Sequence, residues 1–270
     1  VVSTARRPTP RHDANDVLDL VAEVVNELIE TSSEPLDGVG LGVAGLVDAE
    51  RSRVYFAPNL RWSQVPVRTL LEAATGLPVV VENDGNVAAW GEFRFGAGRG
   101  CGGLTLVTVG TGIGGGIVVN GSLFRGAHGV AGEIGHINAV PDGRPCGCGR
   151  NGCLEQYASC LLYTSRRERR SEAGVLLALG DGTPEGVQGL HVTQAAKAGD
   201  PVAMEAFTIV GTWLGRGLAD LAAVLDPELF VIGGGVSDAG DLLLASARQT
   251  LADKLIGQQN RPAPALKVAE

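Results

Sequence analysis

Excess positive charge is the first thing this sequence lacks. Lys and Arg number 22 against 30 Asp and Glu, a net charge of -8 at neutral pH. That balance argues against a nucleic-acid-binding surface. No apolar run approaches the length of a membrane span, and no signal-peptide pattern is visible. Cysteines are few and odd in number, five in 270 residues, which does not suit a disulfide framework and fits a reduced, cytosolic setting. Aromatics make up only 4% of the chain. Present instead are 40 glycines and 44% hydrophobic residues, the composition of an α/β enzyme rich in tight loops. The length allows one large domain or two smaller ones.

Apolar periodicity over Val17, Leu20, Val21, Val24 and Leu28 predicts a helix, with Asn15 or Asp16 as its cap. Gly38 to Val47 reads as one buried strand entering a Gly-rich turn, and Val54 to Phe56 as a short strand. A helix around Pro66 to Thr75 leads to the strand Val79-Val80-Val81, which stops at Glu82-Asn83-Asp84 before a helix from Asn86 to about Phe95. Such alternation predicts a mostly parallel sheet covered by helices. Further on, Leu104 to Val109 and Ile117 to Val119 read as strands, and Asn120-Gly121 as a hairpin turn into Ser122 to Phe124. Pro201 to Leu225 reads as helix, with strands at Leu229 to Ile232 and Ala265 to Ala269. The domain boundary is placed near residue 90, giving domains 1–90 and 91–270.

Three constellations carry chemistry. His136, Cys146, Cys148 and Cys153 lie within eighteen residues and offer one nitrogen and three thiolates, a donor set for tetrahedral structural Zn2+. Glycines 147, 149 and 152 let the backbone fold tightly there. Ordinary buried thiols or a disulfide pair are the alternatives. Glu133 and Glu155 flank the knuckle, which points to a binding pocket. Asp84, at the carboxyl end of a buried strand, stands where ligands of open α/β sheets bind. It can act as a general base or simply cap the next helix, and both readings stay open. The loop Gly110-Thr111-Gly112-Ile113-Gly114-Gly115-Gly116 follows a strand and can bring backbone amides to phosphate oxygens. It is neither a Walker loop nor a Rossmann fingerprint. Gly233-Gly234-Gly235 repeats the device after a second strand, a pairing that fits nucleotide binding better than either loop alone.

Together VENDGNVAAWGE, TVGTGIGGG, the EIGH segment at 133–136 and CGCGRNGCLE at 146–155 resemble the ROK family of bacterial repressors and sugar kinases, and within it the glucokinases of actinobacterial type. FAPNLRW, VPDG, LEQYAS and LALGDG extend the likeness over nearly the whole chain. The resemblance implies an actin-like, ribonuclease-H-type α/β fold of two domains with sugar and nucleotide in the cleft between them. It implies Asp84 as catalytic base on the sugar 6-hydroxyl. Asn83, Glu133, His136 and Glu155, and more weakly Asn59, would hold the other hydroxyls. His136, Cys146, Cys148 and Cys153 would bind structural zinc. Gly110, Thr111 and Gly112 would face the ATP phosphates and Gly233, Gly234 and Gly235 the adenosine, with Mg2+ required. A homo-oligomer, dimer or tetramer, is expected, with no membrane or nucleic-acid partner.

The chain departs from the family pattern in two places. It starts after the opening strand and Asp-x-Gly-Gly-Thr phosphate loop, and it stops before the closing helix. It therefore reads as a fragment whose small domain is N-terminally truncated, inactive by itself. The patch Cys160 to Ser165, before Arg166-Arg167-Glu168-Arg169-Arg170, matches what a common sequencing-library transposon end encodes in one frame. An assembly artefact and an unusual helix start both stay open. The leading expectation is an ATP-dependent glucokinase. The alternatives are a sugar-responsive repressor and a kinase for fructose, mannose or an N-acetyl hexosamine, with polyphosphate a remote donor.

Overall fold

The structure, a computed structural model, describes residues 3–10, 14–159, 174–183, 186–235 and 239–270. The patch 160–165 and the arginine run after it lie outside the described residues. The chain divides into two compact units, Val1–Val87 with Arg125–Ala131, and Ala88–Phe124 with Gly132–Glu270. The return of Arg125–Ala131 to the first unit is a feature that the single cut near residue 90 did not include.

The first unit opens with α1 (Ala14–Thr31), so Asn15 and Asp16 fall inside the helix instead of before it. The apolar run expected to be one strand is two. β1 (Val39–Val43) pairs in parallel with β5 (Val79–Asn83), in register Val43 to Asn83. The chain then breaks at Ala44-Gly45, where the Gly45 N–H returns to the Val43 carbonyl at 2.9 Å. β2 (Leu46–Val47) starts a separate antiparallel meander with β3 (Val54–Ala57) and β4 (Trp62–Val65). Gly45 permits the break because a side chain there would strike Ala57. β4 and the 3-10 turn Pro58–Leu60 before it carry little apolar alternation and were not anticipated. α2 (Val67–Thr75) ends at Gly76 in the left-handed region. Val17, Leu18, Val47, Val54, Trp62, Val67, Leu71 and Val81 form this unit's core. Burial of such side chains contributes about 1.5–3 kcal/mol each.

α3 (Asp84–Phe95) follows β5 directly, starting two residues earlier than its predicted Asn86. In the second unit the sheet order is β10-β9-β6-β7-β8. β6 (Leu104–Val109), β9 (Leu229–Gly233) and β10 (Ala265–Val268) are parallel, whereas β7 (Ile113–Val119) and β8 (Ser122–Leu123) run antiparallel. The sheet is therefore mixed, and the hairpins are the reason. Asn120 and Gly121 both take positive φ, 50° and 73°, as the tight turn into β8 requires. A 3-10 turn (Ile134–His136) and α4 (Glu155–Ala158) flank the cysteine segment. α5 (Gly174–Leu179) and α6 (Gly189–Lys197) lead to α7 (Pro201–Leu225), and α8 (Asp241–Lys254) follows β9. Asp200 caps α7 by accepting the Ala203 N–H at 2.9 Å, with Pro201 at its first position.

α7 corrects one expectation, since by length and composition it is a helix that could cross a membrane. Its apolar side is occupied in the fold. Phe207, Val210, Leu214, Leu218 and Ala222 are buried in one core with Val107, Val109, Phe230 and Ile232 of the sheet and Leu243, Leu244 and Ala247 of α8.

Candidate active site

Each unit carries one cluster of polar side chains. In the first, β5 delivers Glu82, Asn83 and Asp84 to the start of α3. Asn83 performs the capping: its Oδ1 accepts the Asn86 N–H at 3.1 Å, and its Nδ2 donates to the Gly45 carbonyl at 3.1 Å. Asp84 is exposed, and among the described residues its carboxylate accepts only from the adjacent Gly85 N–H, at 2.9 Å. The first turn is thus shared, Asn83 taking the Asn86 N–H and Asp84 the Gly85 N–H. Asn59, also expected near a sugar, is exposed in the 3-10 turn Pro58–Leu60.

β5 also carries a buried acid, Glu82, that motif reading passed over. Glu82 Oε2 sits 2.8 Å from Arg125 Nε and 3.1 Å from Arg51 Nε, close ion pairs without full hydrogen-bond alignment. Its Oε1 accepts from the Asn83 N–H and from Asn86 Nδ2, each at 3.0 Å. Arg125 also donates to the carbonyls of Ala49 and Asp48, at 2.7 and 2.8 Å. The partners stand 31 and 43 residues from Glu82 in sequence, so no local spacing announces them. Nearby Asp48 accepts from the Ser52 and Arg53 N–H groups at 2.7 and 2.9 Å. Burial alone would push its carboxyl up, but these bonds outweigh that and hold it below its ordinary value of 3.8.

In the second unit the knuckle assembles as predicted. The donor atoms of His136, Cys146, Cys148 and Cys153 all lie within 4.8 Å of one another. Cys146 Sγ is 3.7 Å from His136 Nδ1, and Cys148 Sγ is 3.6 Å from Cys153 Sγ. A tetrahedron with Zn–S bonds of about 2.3 Å has edges of about 3.8 Å, so the donor set fits zinc. The same 3.6 Å is far beyond a disulfide bond, and all three thiols are free. Burial pushes the Cys146 and Cys153 thiols up, with the Cys148 thiol adding to the rise at Cys153. At Cys148 burial acts the same way but is outweighed by the Arg150 N–H and the neighbouring thiols, which lower it. Metal binding would supply the charge that holds the buried pair as thiolates. The Gly152 φ of 77° is required here, since a Cβ would clash with the Val140 carbonyl.

His136 faces two ways. Nδ1 is turned to Cys146, while Nε2 lies 3.9 Å from Glu133 Oε2. Glu155 Oε1 accepts from Cys146 Sγ at 2.9 Å and lies 3.6 Å from His136 Nδ1. The knuckle thus fixes both flanking carboxylates. Glu155 also meets the glycine loop: a Cβ on Gly112 would come within 2.7 Å of its Oε2.

That loop is shorter than its sequence suggested. Gly114, Gly115 and Gly116 belong to β7, where Gly115 pairs with Val107 and Gly116 with Leu106, leaving Gly110-Thr111-Gly112 as the turn. The Gly110 N–H closes it on the Gly112 carbonyl at 3.0 Å. β9 runs beside β6, with Gly233 in register with Thr108. Gly234 follows at φ 87°, so near the backbone of Val109 that a Cβ would lie 2.5 Å from the Val109 oxygen. The two glycine turns therefore leave neighbouring parallel strands side by side. Open ground lies around Gly110 and Gly235, where added Cβ atoms meet nothing within 4 Å.

The ROK family pattern matches residues 1–270. The chain belongs to the ROK family. It therefore has the actin-like ATPase fold of that family, a mixed α/β architecture, with a cysteine–histidine cluster consistent with zinc. It is 48% identical over 267 residues to a glucokinase of Streptomyces coelicolor, covering 97% of this chain and 83% of that protein. The crystal structure of a ROK family glucokinase from Streptomyces griseus in complex with glucose and AMPPNP superposes with a TM-score of 0.87 at 47% identity, over 97% of this chain and 84% of the other. A xylose repressor of Caldicellulosiruptor bescii is 34% identical over 236 residues, 87% of this chain and 59% of the repressor.

Proposed function

We propose that this ROK protein is a glucokinase that transfers the γ-phosphoryl group of ATP to the 6-hydroxyl of glucose, with Asp84 as general base. The reading rests on one observation above the rest. The Asp84 carboxylate, just past the end of β5, is exposed, and Asn83 takes the Asn86 N–H while Asp84 takes only the neighbouring Gly85 N–H among the described residues. The likeness to glucokinases over 97% of the chain supports the same conclusion.

The Asp84 carboxylate accepts the 6-hydroxyl proton as the oxygen attacks the γ-phosphorus. The bond from phosphorus to the bridging oxygen breaks and ADP departs, so glucose and ATP give glucose 6-phosphate, ADP and a proton. Asn83, Glu133, His136 Nε2 and Glu155 hold the remaining hydroxyls, with Asn59 an additional contact. Carboxylates accepting from vicinal hydroxyls give short, directional bonds. Gly110, Thr111 and Gly112 bind the phosphates and Gly233, Gly234 and Gly235 the adenosine. Mg2+, when bound with ATP, would supply the charge neutralisation that phosphoryl transfer needs. His136 Nδ1, Cys146, Cys148 and Cys153 hold zinc, whose task is to cross-link the knuckle.

A sugar-responsive repressor is the second reading, since a xylose repressor of Caldicellulosiruptor bescii is among the relatives, but a repressor has no use for a catalytic base at Asp84. A coupled ADP-release assay on the intact gene product against a panel of hexoses tests the proposal. Turnover greatest with glucose supports it, a preference for mannose, fructose or an N-acetyl hexosamine reassigns the substrate, and sugar binding without ADP release favours the repressor.

A further inference from the structure

We infer that Glu82, clamped between Arg51 and Arg125, is the positioning residue for the Asn83-Asp84 turn, an inference that rests on the role of Asp84 proposed above. The Glu82 side chain retains 9% of its exposure, yet neither of its oxygens is idle. One faces two guanidinium groups, at 2.8 and 3.1 Å. The other takes the Asn83 N–H and the Asn86 side-chain amide, both at 3.0 Å. These two acceptances bracket Asp84 along the chain. They fix the backbone one residue before it and a side chain two residues after it. The Asp84 carboxylate itself accepts the Gly85 N–H and stays exposed.

The arginines are themselves immobilised. Arg125 reaches the Asp48 and Ala49 carbonyls with its two terminal nitrogens. Arg51 holds a left-handed backbone at φ 57°, with its N–H on the Asp48 carbonyl at 3.1 Å and its own carbonyl accepting from Val81 at 3.1 Å. Burying a carboxylate between two such groups adds little stability over an apolar filling of the same shape. What it adds is direction. Glu82 holds the Asn83 N–H at 3.0 Å, and that bond constrains the backbone from which the next side chain emerges. A base misplaced by about 1 Å loses up to about 100-fold in rate.

The test compares wild type with Glu82→Gln and Arg125→Met in the intact protein, reading kcat, the glucose KM and site-resolved amide exchange. The expected result is a kcat lower by about 10- to 100-fold with a little-changed KM, since Asp84 acts in the chemical step. Exchange at Asn83 and Asn86 should rise at least about tenfold, with core amides such as Val107 unmoved. Wild-type kcat in both variants overturns the inference. So does a loss shared equally by core exchange and KM, which is plain destabilisation. Wild type without glucose turnover defeats the proposed function instead, and local exchange at Asn83 then decides the clamp by itself.

Discussion

The turn at Asp84 and the cysteine knuckle each fix acidic groups, but they are held by opposite means. At the turn every buried charge has a counter-charge from the chain itself, Glu82 against Arg51 and Arg125. At the knuckle the chain clusters one imidazole and three thiols, and burial pushes two of the thiols toward the neutral form despite the nearby Arg150. One cluster is complete as protein, and the other is a donor set that fits a metal. The difference teaches where each is vulnerable: the turn to substitution, the knuckle to chelation.

The comparison breaks most sharply at Asp84. Asp84→Ala should lower kcat by about 10²–10⁴-fold while glucose binding, followed by calorimetry, persists through the knuckle carboxylates. Next in size is metal removal. Chelation, or Cys153→Ser, should weaken glucose binding by about tenfold or more and lower the melting temperature, with zinc release measured by a chromogenic chelator. Amide exchange around Asn83 should not change, and if it does the two clusters are not independent in the way described. Gly234→Ala forces a side chain into left-handed backbone against Val109, costing about 1–3 kcal/mol and raising the ATP KM. The smallest effect sharpens the contrast through pH. Asp48 has a depressed carboxyl, so its contribution is present above the ordinary value of 3.8 and fades as pH falls through the folded value below it. Asp48→Asn should remove about 1 kcal/mol at neutral pH and flatten the acid limb of the melting curve.

Much of the knuckle was legible because its ligands are close in sequence and chemically rare. His136, Cys146, Cys148 and Cys153 announce themselves by type and spacing, and the structure brings all four together. The strand-to-helix turn was legible to the same extent, since Val79 to Val81 is plainly a strand and Asp84 stands at its end. What the sequence hid was long-range. Arg51 and Arg125 look like surface arginines until the fold brings them to Glu82. The glycines misled for a related reason. Gly114 to Gly116 look like loop in a row, but β6 and the packing of Ile134 against Gly115 make strand the better conformation. Likewise Gly38 to Val47 is apolar enough for one strand, and only the contact of Gly45 with Ala57 shows the break into two sheets.

The most direct measurement is the identity of the product. The intact protein with ATP, Mg2+ and carbon-13-labelled glucose should yield sugar bearing phosphorus coupling at carbon 6 by NMR, and the same mixture with Asp84→Ala should yield none on that timescale. Glucose bound without phosphoryl transfer, or phosphorylation that survives Asp84→Ala, would contradict the account.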